Sequence, residues 1–309
     1  MFYPGVTAAP AAVRQDRAEP TDERDTHSMV ADVRSSPGTA RIRVMDAGHF
    51  PAEAMADLWR GLMSYEIWSR FAFHDIRQRF RRSILGPFWL TLSMGIMVGA
   101  LGLVFGTLFQ QNIGETLPHI ATGLIFWGLL TSCINDGTTV FVGSANYIRN
   151  LPLPISLHVY QMLCRNLIIW GFNMAIYLLV AVVFRLQLTW DTLLFIPGFI
   201  LFVFNLSWIA LVAGIFSTRF RDIPQLILNL IQVVFFVTPV FWSVENLPRR
   251  PAFVMLNPFY HLLEIVRAPL LGTAPGLVSW AVAGGLAVFG TFFATWLYRR
   301  TYSRIAYWV

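Results

Sequence analysis

Apolar residues dominate the chain from position 88 onward, in six segments of about 20 residues separated by more polar stretches. A segment of about 20 mainly apolar residues is long enough to cross the hydrocarbon core of a bilayer as a helix. The first segment begins abruptly, because no charged residue occurs between Arg82 and Glu115. The pattern predicts an all-α membrane protein with its transmembrane domain over residues 88–309. The six predicted transmembrane helices are 88–109, 120–142, 158–184, 193–216, 223–242 and 277–297.

The segment immediately before the first span is amphipathic. Within residues 58–87 one helical face is apolar, and in the second half the opposite face is polar and rich in arginine. A helix of this kind lies along a membrane surface with its arginines among the lipid phosphates. Gly86 and Pro87 mark the junction with the first span, since proline is tolerated in the first turn of a helix. We predict an N-terminal amphipathic interfacial helix, which is either an anchor or a gate for the lipid end of a substrate.

Residues 1–57 have a different composition, with scattered Pro, Ala, Ser, Thr and charged residues and no period of 2 or 3.6. Such a composition predicts a disordered cytoplasmic tail. The tail has no basic start followed by an apolar run, so we expect no cleavable signal peptide.

Composition supports a membrane protein and excludes one kind of ATP site. The chain of 309 residues is 56% hydrophobic and 13% charged, and its mean hydropathy is +0.56, whereas soluble domains carry about 25% charged residues. The net charge of +6 is explained better by orientation in a membrane than by nucleic acid. All 23 basic residues are arginine, and a P-loop requires a lysine on the phosphates. If ATP drives the work of this chain, another polypeptide binds it. Cys133 and Cys164 fall in apolar spans, which predicts packing thiols and no disulfide or metal site.

The arginines near the ends of the predicted spans are distributed unequally between the two sides. Cytoplasmic loops are enriched in basic residues, so the richer side is the cytoplasmic one and both termini lie there. The N-terminal side carries Arg60, Arg70, Arg77, Arg79, Arg81, Arg82, Arg149, Arg219, Arg221, Arg299, Arg300 and Arg304, and the opposite side carries Arg185, Arg249, Arg250 and Arg267.

The outer segment from about 245 to 275 is too long for a turn and is partly apolar. Backbone at membrane depth is tolerated without crossing only where it packs against protein or a wet cavity. We predict short re-entrant helices at the outer face before the last span.

Several motifs together resemble a family of transporters. HDIRQRFRRSILGPFW at 74–89 resembles the entry of ABC exporter permeases for cell-surface polysaccharides. ANYIRNLPLPIS at 145–156 and FRDIPQ at 220–225 look like the first and second cytoplasmic loops of that family. TPVFW at 238–242 and LNPFYHLLEIVRAPLLG at 256–272 look like its fifth span and outer re-entrant region, and the latter is most similar to lipopolysaccharide O-antigen exporters.

The resemblance covers about residues 58–309 and leaves the tail unmatched. His74 stands where an arginine is usual in the family, and Phe80 stands where a tyrosine is usual. The family implies a homodimer in the bacterial inner membrane that pairs with two copies of a separate ATPase subunit. It implies that ATP and Mg²⁺ are bound by that partner and that this chain holds no cofactor and no catalytic site. It implies export of a lipid-linked polysaccharide from the cytoplasmic leaflet.

Two sets of candidate residues follow from the motifs. Guanidinium groups bind phosphate bidentately, so the arginines beside the first span are candidates for the pyrophosphate of a lipid-linked glycan, or else for bulk anionic lipid. The first loop is closed by Pro152 and Pro154, which end a short helix sharply. That helix and the second loop are candidates for coupling to the ATPase, or else are plain connectors. The gate set is Arg77, Arg79, Arg81 and Arg82, and the coupling set is Asn146, Tyr147, Arg149, Asn150, Arg219, Arg221 and Asp222.

Aromatic residues are 15% of the chain and have two candidate roles. Trp and Tyr at span ends usually form interfacial belts, which is the prediction for Trp89, Trp190, Trp280 and Tyr298. Sugar rings stack on aromatic faces, and a sliding polymer needs weak, repeated, non-ionic contacts. The candidates for a glycan path, with core packing as the alternative, are Phe126, Trp127, Phe235, Phe236, Phe241 and Trp242.

Polar residues within spans suggest contacts between helices. Asp136 and Arg165 both fall toward the cytoplasmic third, so an ion pair is expected. His261 and Glu264 are three residues apart, but two ligands are too few for a metal site.

Three other functions are distinguishable from polysaccharide export. An ABC exporter of a small lipid or drug would lack a partner ATPase with a glycan-binding domain. An intramembrane transferase on lipid-linked sugars would need carboxylates at the membrane surface and no ATPase. An ion-coupled transporter predicts inverted repeats, and none is evident in the sequence.

Overall fold

The computed structural model describes residues 50–108, 112–187, 189–243 and 252–309, and all regular elements in these ranges are helical. The predicted tail lies outside the described residues up to position 49. The helices are α1 Phe50–Met63, α2 Tyr65–Arg79, α3 Phe88–Leu108, α4 Ile113–Gly143, α5 Ala145–Asn150, α6 Leu157–Val183, α7 Phe195–Arg219, α8 Ile223–Val237, α9 Ala252–Met255, α10 Pro258–Leu270 and α11 Leu277–Trp308, with a 3-10 turn at Trp190–Leu194.

Five helical segments in the described ranges are long and apolar enough to cross a membrane. They are Phe88–Thr107, Ile113–Asn150, Leu157–Val183, Trp190–Arg219 and Leu277–Trp308. These five match five of the predicted spans, and together they define a multi-pass membrane protein.

The helix at the position of the fifth predicted span, 223–242, is short. α8 has 15 residues, which at 1.5 Å per residue is about 22 Å, less than the roughly 30 Å of a hydrocarbon core. The prediction continued this helix to residue 242, but it ends at Val237. Thr238 is extended, with ψ 133°, because the residue before a proline is driven out of the helical region. Pro239 and Val240 then turn against α4.

α4 is the central helix of the bundle. In the most apolar 18-residue stretch of α4, 72% of the residues are buried, whereas 17% are buried in the corresponding stretches of α3 and α6. α4 packs closely on α7, where a Cβ placed on Gly137 would lie 2.9 Å from Ala210 Cα and one placed on Gly214 would lie 2.9 Å from Gly137 O. Small residues at such crossings let two membrane helices approach and gain dispersion contacts.

The interfacial segment differs from the prediction in its bounds. A single helix was expected over 58–87, whereas the structure has α1 and α2 with a break at Ser64, followed by turns from Phe80 to Pro87. α1 begins at Phe50, inside the segment predicted to be disordered, because the sequence FPAEAMADLW is rich in strong helix formers. Gly86, at φ +56°, adopts the left-handed conformation that glycine allows.

The region predicted near 245–275 contains two short helices, α9 and α10, and residues 244–251 lie outside the described ranges. Their re-entrant placement in the membrane stays a prediction. Asn257 caps α10, since its Oδ1 accepts from Phe259 N at 3.0 Å, and its Nδ2 donates to Thr238 Oγ1 at 2.8 Å. Tyr177 of α6 donates to Leu270 O at 2.8 Å. α10 is therefore anchored in the bundle at both of its ends.

Below, the α1 end of the bundle is the end that carries α1, α2 and α5, and the α10 end carries α9 and α10. Tyr298, predicted to lie in an interfacial belt, is instead 0% exposed and belongs to the core at the α1 end. The belt candidates Trp89 and Trp190 are exposed, and Trp280 is half-buried.

Candidate gate and coupling site

The four gate arginines lie in a single stretch at the α1 end. All four, Arg77, Arg79, Arg81 and Arg82, are exposed. The opposite face of α2 is held to the bundle by Ala72 and Ile76, which are buried. The guanidinium groups are therefore free to meet an anion from outside the chain, and their role as a pyrophosphate site stays a prediction.

An ionic network fixes α2 to two membrane helices. Arg165 of α6 donates from Nη1 to Asp75 Oδ2 at 3.1 Å and from Nη2 to Asp136 Oδ2 at 2.9 Å. Gln161 donates to the same oxygen of Asp75 at 2.9 Å, and Asn166 donates to Asp136 at 3.0 Å. The predicted pair between Asp136 and Arg165 is confirmed. The part played by Asp75 was missed, since nothing in its local sequence points to a partner 90 residues away.

A polar cavity of about 600 Å³ adjoins this network. It lies among α2, α4, α5 and α6, and it is lined by one gate arginine, Arg79, and by Tyr147 of the first loop. The chemistry of its wall is mixed, with two carboxylates, two guanidinium groups and an imidazole. The lining includes Asp75, Arg79, Asp136, Tyr147, His158 and Arg165.

The first loop forms the short helix that its prolines predicted. α5 runs from Ala145 to Asn150, and Leu151 after it is extended, with ψ 138°, as expected before Pro152. The four coupling candidates in α5 are exposed, while Ile148 packs against the core. The helix is thus held by Ile148 and by the ring of Tyr147, which lies 5.8 Å from Phe71 and 6.0 Å from His158, and it presents Asn146, Arg149 and Asn150 outward.

The second loop lies close to the same end of α11. Arg219, Arg221 and Asp222 are exposed. The guanidinium carbon of Arg219 is 5.3 Å from the ring centroid of Trp308, and α5 also packs on α11. Both coupling candidates therefore border the last helix, and together they offer an exposed polar surface at the α1 end.

The glycan-path candidates separate into two groups. Trp127 and Phe241 both pack on Phe235, with centroid distances of 5.6 Å and 5.4 Å, and Phe236 is 5.5 Å from it. Within this cluster Phe236 is 62% exposed. Trp242, which directly follows Phe241 in the chain, is half-buried.

Phe126 faces the other side of α4. It is 0% exposed and packs on Phe199 at 6.3 Å and Phe202 at 5.9 Å. In this structure its ring is part of the core and offers no surface to a substrate, as the core-packing alternative expected.

α8 has no buried residue. Its exposed surface combines large apolar side chains with three exposed amides, Gln225, Asn229 and Gln232, spaced along one side of the helix. Sequence analysis did not identify this stripe. The spacing of four and three residues was the signal that would have identified a polar stripe.

At the α10 end a buried arginine organises a second polar cavity, of about 760 Å³. Arg267 is 4% exposed and donates to Pro239 O at 2.6 Å and to Glu264 Oε2 at 2.8 Å. Both ring nitrogens of His261 are engaged, with Ser279 Oγ at 3.0 Å and Met255 O at 2.9 Å. Within the described ranges no group of three or more metal-binding side chains is found.

This arrangement, a bundle of apolar helices with exposed polar loops at one end, is that of a multi-pass membrane protein. A family model described as ABC-2 type transporter matches residues 71–271, more than half of the chain. The chain therefore belongs to the ABC-2 type transporter family. The match extends from α2 to the residue after α10, so it includes the gate arginines, both loops and α10.

A curated relative comes from Myxococcus xanthus. It is the O-antigen export system permease protein RfbA, which is 23% identical over 198 residues. The aligned region covers 63% of this chain and 76% of the relative.

Proposed function

We propose that this chain is the membrane subunit of an ATP-driven exporter that moves a lipid-linked, O-antigen-like polysaccharide across the bacterial inner membrane. The observation that carries the proposal is the family match over residues 71–271 together with the similarity to an O-antigen export permease. Three regions of the structure support it, and they are the gate arginines, the candidate glycan path and the surface proposed to couple to the ATPase.

The gate supports an anionic head group. A lipid-linked glycan presents a diphosphate at the depth of the membrane surface, and the exposed guanidinium groups of Arg77, Arg79, Arg81 and Arg82 have the fork geometry that binds phosphate bidentately. In this proposal the α1 end and both termini are cytoplasmic, α1 and α2 lie in the interface among membrane lipids, and the substrate enters beside α2.

The path is assigned to the exposed side of α8. Neutral amides are costly in hydrocarbon unless they are hydrogen-bonded. Gln225 donates to Asn229 at 3.3 Å, and the remaining donors and acceptors of Gln225, Asn229 and Gln232 suit another copy of the chain or a water-containing passage. Amides and the exposed ring of Phe236 suit a hydroxyl-rich polymer. We therefore assign α8 to the centre of a homodimer, where it crosses as a sixth span together with the turn at 238–243, while α9 and α10 dip into the outer face.

The coupling surface is assigned to α5 and to the loop at Arg219, Arg221 and Asp222. ATP and Mg²⁺ belong to two copies of a separate ATPase subunit, and this chain itself binds no cofactor and performs no catalysis. A short exposed helix on the cytoplasmic side fits a groove of such a subunit.

The test is reconstitution of the chain with its ATPase in proteoliposomes that contain a lipid-linked glycan. We expect ATP-dependent protection of the glycan from an added glycan hydrolase. The control is the same complex with the P-loop lysine of the ATPase replaced. A complex that hydrolyses ATP and moves a fluorescent lipid, but leaves the glycan exposed, would instead support export of a small lipid.

A further inference from the structure

A buried carboxylate lies at the α1 end, where three helices meet. Asp57 of α1 is 3% exposed. Its Oδ1 accepts from Ile155 N at 3.0 Å and from Tyr302 OH at 3.3 Å. Its Oδ2 accepts from Ser156 N at 3.0 Å and from Tyr298 OH at 2.7 Å. Four donors, from α11 and from the start of α6, thus converge on one side chain of α1.

The nature of these partners explains the buried acid. Backbone N–H groups can only donate, and the first turn of a helix favours acidic side chains, so the site suits the acceptor oxygens of an aspartate. The contact is also reciprocal, because Ser156 Oγ donates to the carbonyl of Asp57 at 2.9 Å. Tyr160 OH donates to Leu58 O at 3.3 Å. α1 is therefore attached to residues 155 and 156, just before α6, and to the first turn of α6 at Tyr160.

The attached residues lie directly after the coupling helix. Only the segment 151–156 connects α5 to α6, and it contains Pro152 and Pro154, whose φ angles are fixed by their rings. Leu153 N also bonds to Leu151 O at 2.8 Å. A displacement of α5 is therefore passed through a short, stiff connection to Ile155 and Ser156.

A second attachment holds the other interfacial helix to the same element. Asp75 of α2 binds Gln161 at 2.9 Å and Arg165 at 3.1 Å, and both of these lie in the N-terminal half of α6. α1 and α2 are thus both bound to the part of α6 that follows α5.

We propose that Asp57 is a positioning residue for transport, which makes the interfacial helices α1 and α2 follow the coupling helix α5 as one body. The proposal rests on the proposed function, since it takes α5 as the element moved by the ATPase. In this proposal Asp57, the buried acid of α1, transmits the ATP-driven movement of the first loop to the gate arginines.

The first variant is Asp57→Asn, tested in the complete complex with its ATPase in proteoliposomes. The amide keeps one acceptor oxygen but turns a donor toward the remaining N–H and O–H groups, so about half of the bonds are lost. We expect export per ATP hydrolysed to fall at least tenfold, while ATP hydrolysis and complex yield stay within twofold of the wild type. Tyr307→Phe is the control, because Tyr307 lies on α11, the helix that carries the donors Tyr298 and Tyr302, and is 87% exposed.

A milder variant keeps the proposal testable if Asp57→Asn fails to assemble. Tyr298→Phe removes the 2.7 Å bond and leaves both backbone bonds in place. We expect its export per ATP to fall about threefold. The proposal is overturned if either assembled variant keeps the wild-type export per ATP hydrolysed. It is also overturned if export and ATP hydrolysis fall in parallel, because that result would mean a purely structural role.

A distance measurement tests the linkage without any substrate. Spin labels are placed at Met55→Cys in α1 and Leu151→Cys after α5, both exposed positions, with Cys133 and Cys164 replaced by alanine. In the wild type the distance should stay the same with and without a non-hydrolysable ATP analogue, and in Asp57→Asn it should shift by several ångströms on nucleotide binding. A distance that changes equally in both proteins refutes the linkage. If the wild-type complex moves no glycan, it is the proposed function that fails, and this distance still decides the linkage.

Discussion

Replacing Arg165 by methionine removes the cation that two acidic side chains share. Its Nη1 and Nη2 donate to Asp75 at 3.1 Å and to Asp136 at 2.9 Å. Methionine is unbranched and adapts to irregular apolar surroundings, so the change tests the charge more than the packing. Without Arg165, the carboxylates of α2 and α4 lie close together with no counter-ion between them.

The magnitude follows from the exposure of the three side chains. A buried hydrogen bond to a charged group contributes about 1.5–3 kcal/mol, and an exposed ion pair contributes about 0–1 kcal/mol. The side chains of Arg165, Asp75 and Asp136 are 24%, 29% and 36% exposed, so each pair falls between these limits. Two pairs at about 1–1.5 kcal/mol each give a loss of about 2–3 kcal/mol in the free energy of unfolding.

The assay is thermal unfolding of the purified chain in a mild detergent, followed by tryptophan fluorescence. For a chain of this size 1 kcal/mol corresponds to about 2–4 °C in Tm, so Arg165→Met should melt about 4–12 °C lower. Asp75→Asn removes one pair and should lose about half as much. The control is Arg304→Met, because Arg304 is exposed. If Arg165→Met melts within 1 °C of the wild type, the network contributes nothing to stability and the reasoning is wrong.

Four further predictions concern function and packing. The purified chain alone should hydrolyse no ATP, because it contains no lysine for a P-loop, and measurable turnover by protein free of other subunits would contradict this. Arg149→Glu reverses an exposed charge on α5 and should uncouple export from ATP hydrolysis without loss of assembly; wild-type export and normal stimulation of the ATPase would exclude a coupling role. Replacing both Arg81 and Arg82 by lysine keeps the charge but removes the bidentate geometry of the guanidinium group, so export should fall sharply while membrane insertion and dimer yield stay normal. Unchanged export would mean that the two arginines only set the orientation of the chain. Gly137→Val overfills the crossing of α4 and α7 and should destabilise the chain by about 1–3 kcal/mol, read out as a lower Tm.

The spans were predictable because their signal is local. A helix that crosses a bilayer must be apolar along about 20 consecutive residues, and the apolar runs of α3, α4, α6, α7 and α11 are visible one residue after another. The rotation of each helix was not predictable. Around position 126 the sequence of α4 is apolar on all sides. It therefore cannot show that Phe126 packs on Phe202 of α7 while Trp127, the next residue and also buried, contacts Phe235 of α8.

Long-range polar contacts were the other part that the sequence could not predict. Asp57 lies 98 residues from Ile155 and 245 from Tyr302, and nothing around it differs from an exposed acid on an amphipathic helix. Tyr298 has the position of an interfacial tyrosine, near the end of an apolar run, and only the fold shows that its hydroxyl has a buried acceptor. By contrast, the pair between Asp136 and Arg165 could be predicted, because two opposite charges within spans at similar depth have few other partners.

The placement of charge along the described helices has a consequence for what the exporter can select. Charged side chains within the bundle lie near its ends, with Asp136 and Arg165 toward the α1 end and Glu264 and Arg267 toward the α10 end. Between these ends the polar side chains of the described spans are neutral, because a charge at the centre of a bilayer is costly. In the proposed function, a neutral polymer would meet only weak contacts there and could slide, whereas an anionic head group would meet the exposed guanidinium groups at the α1 end. We therefore expect discrimination between substrates to lie in the head group and the gate, and the repeat unit of the polymer to matter little once it has entered.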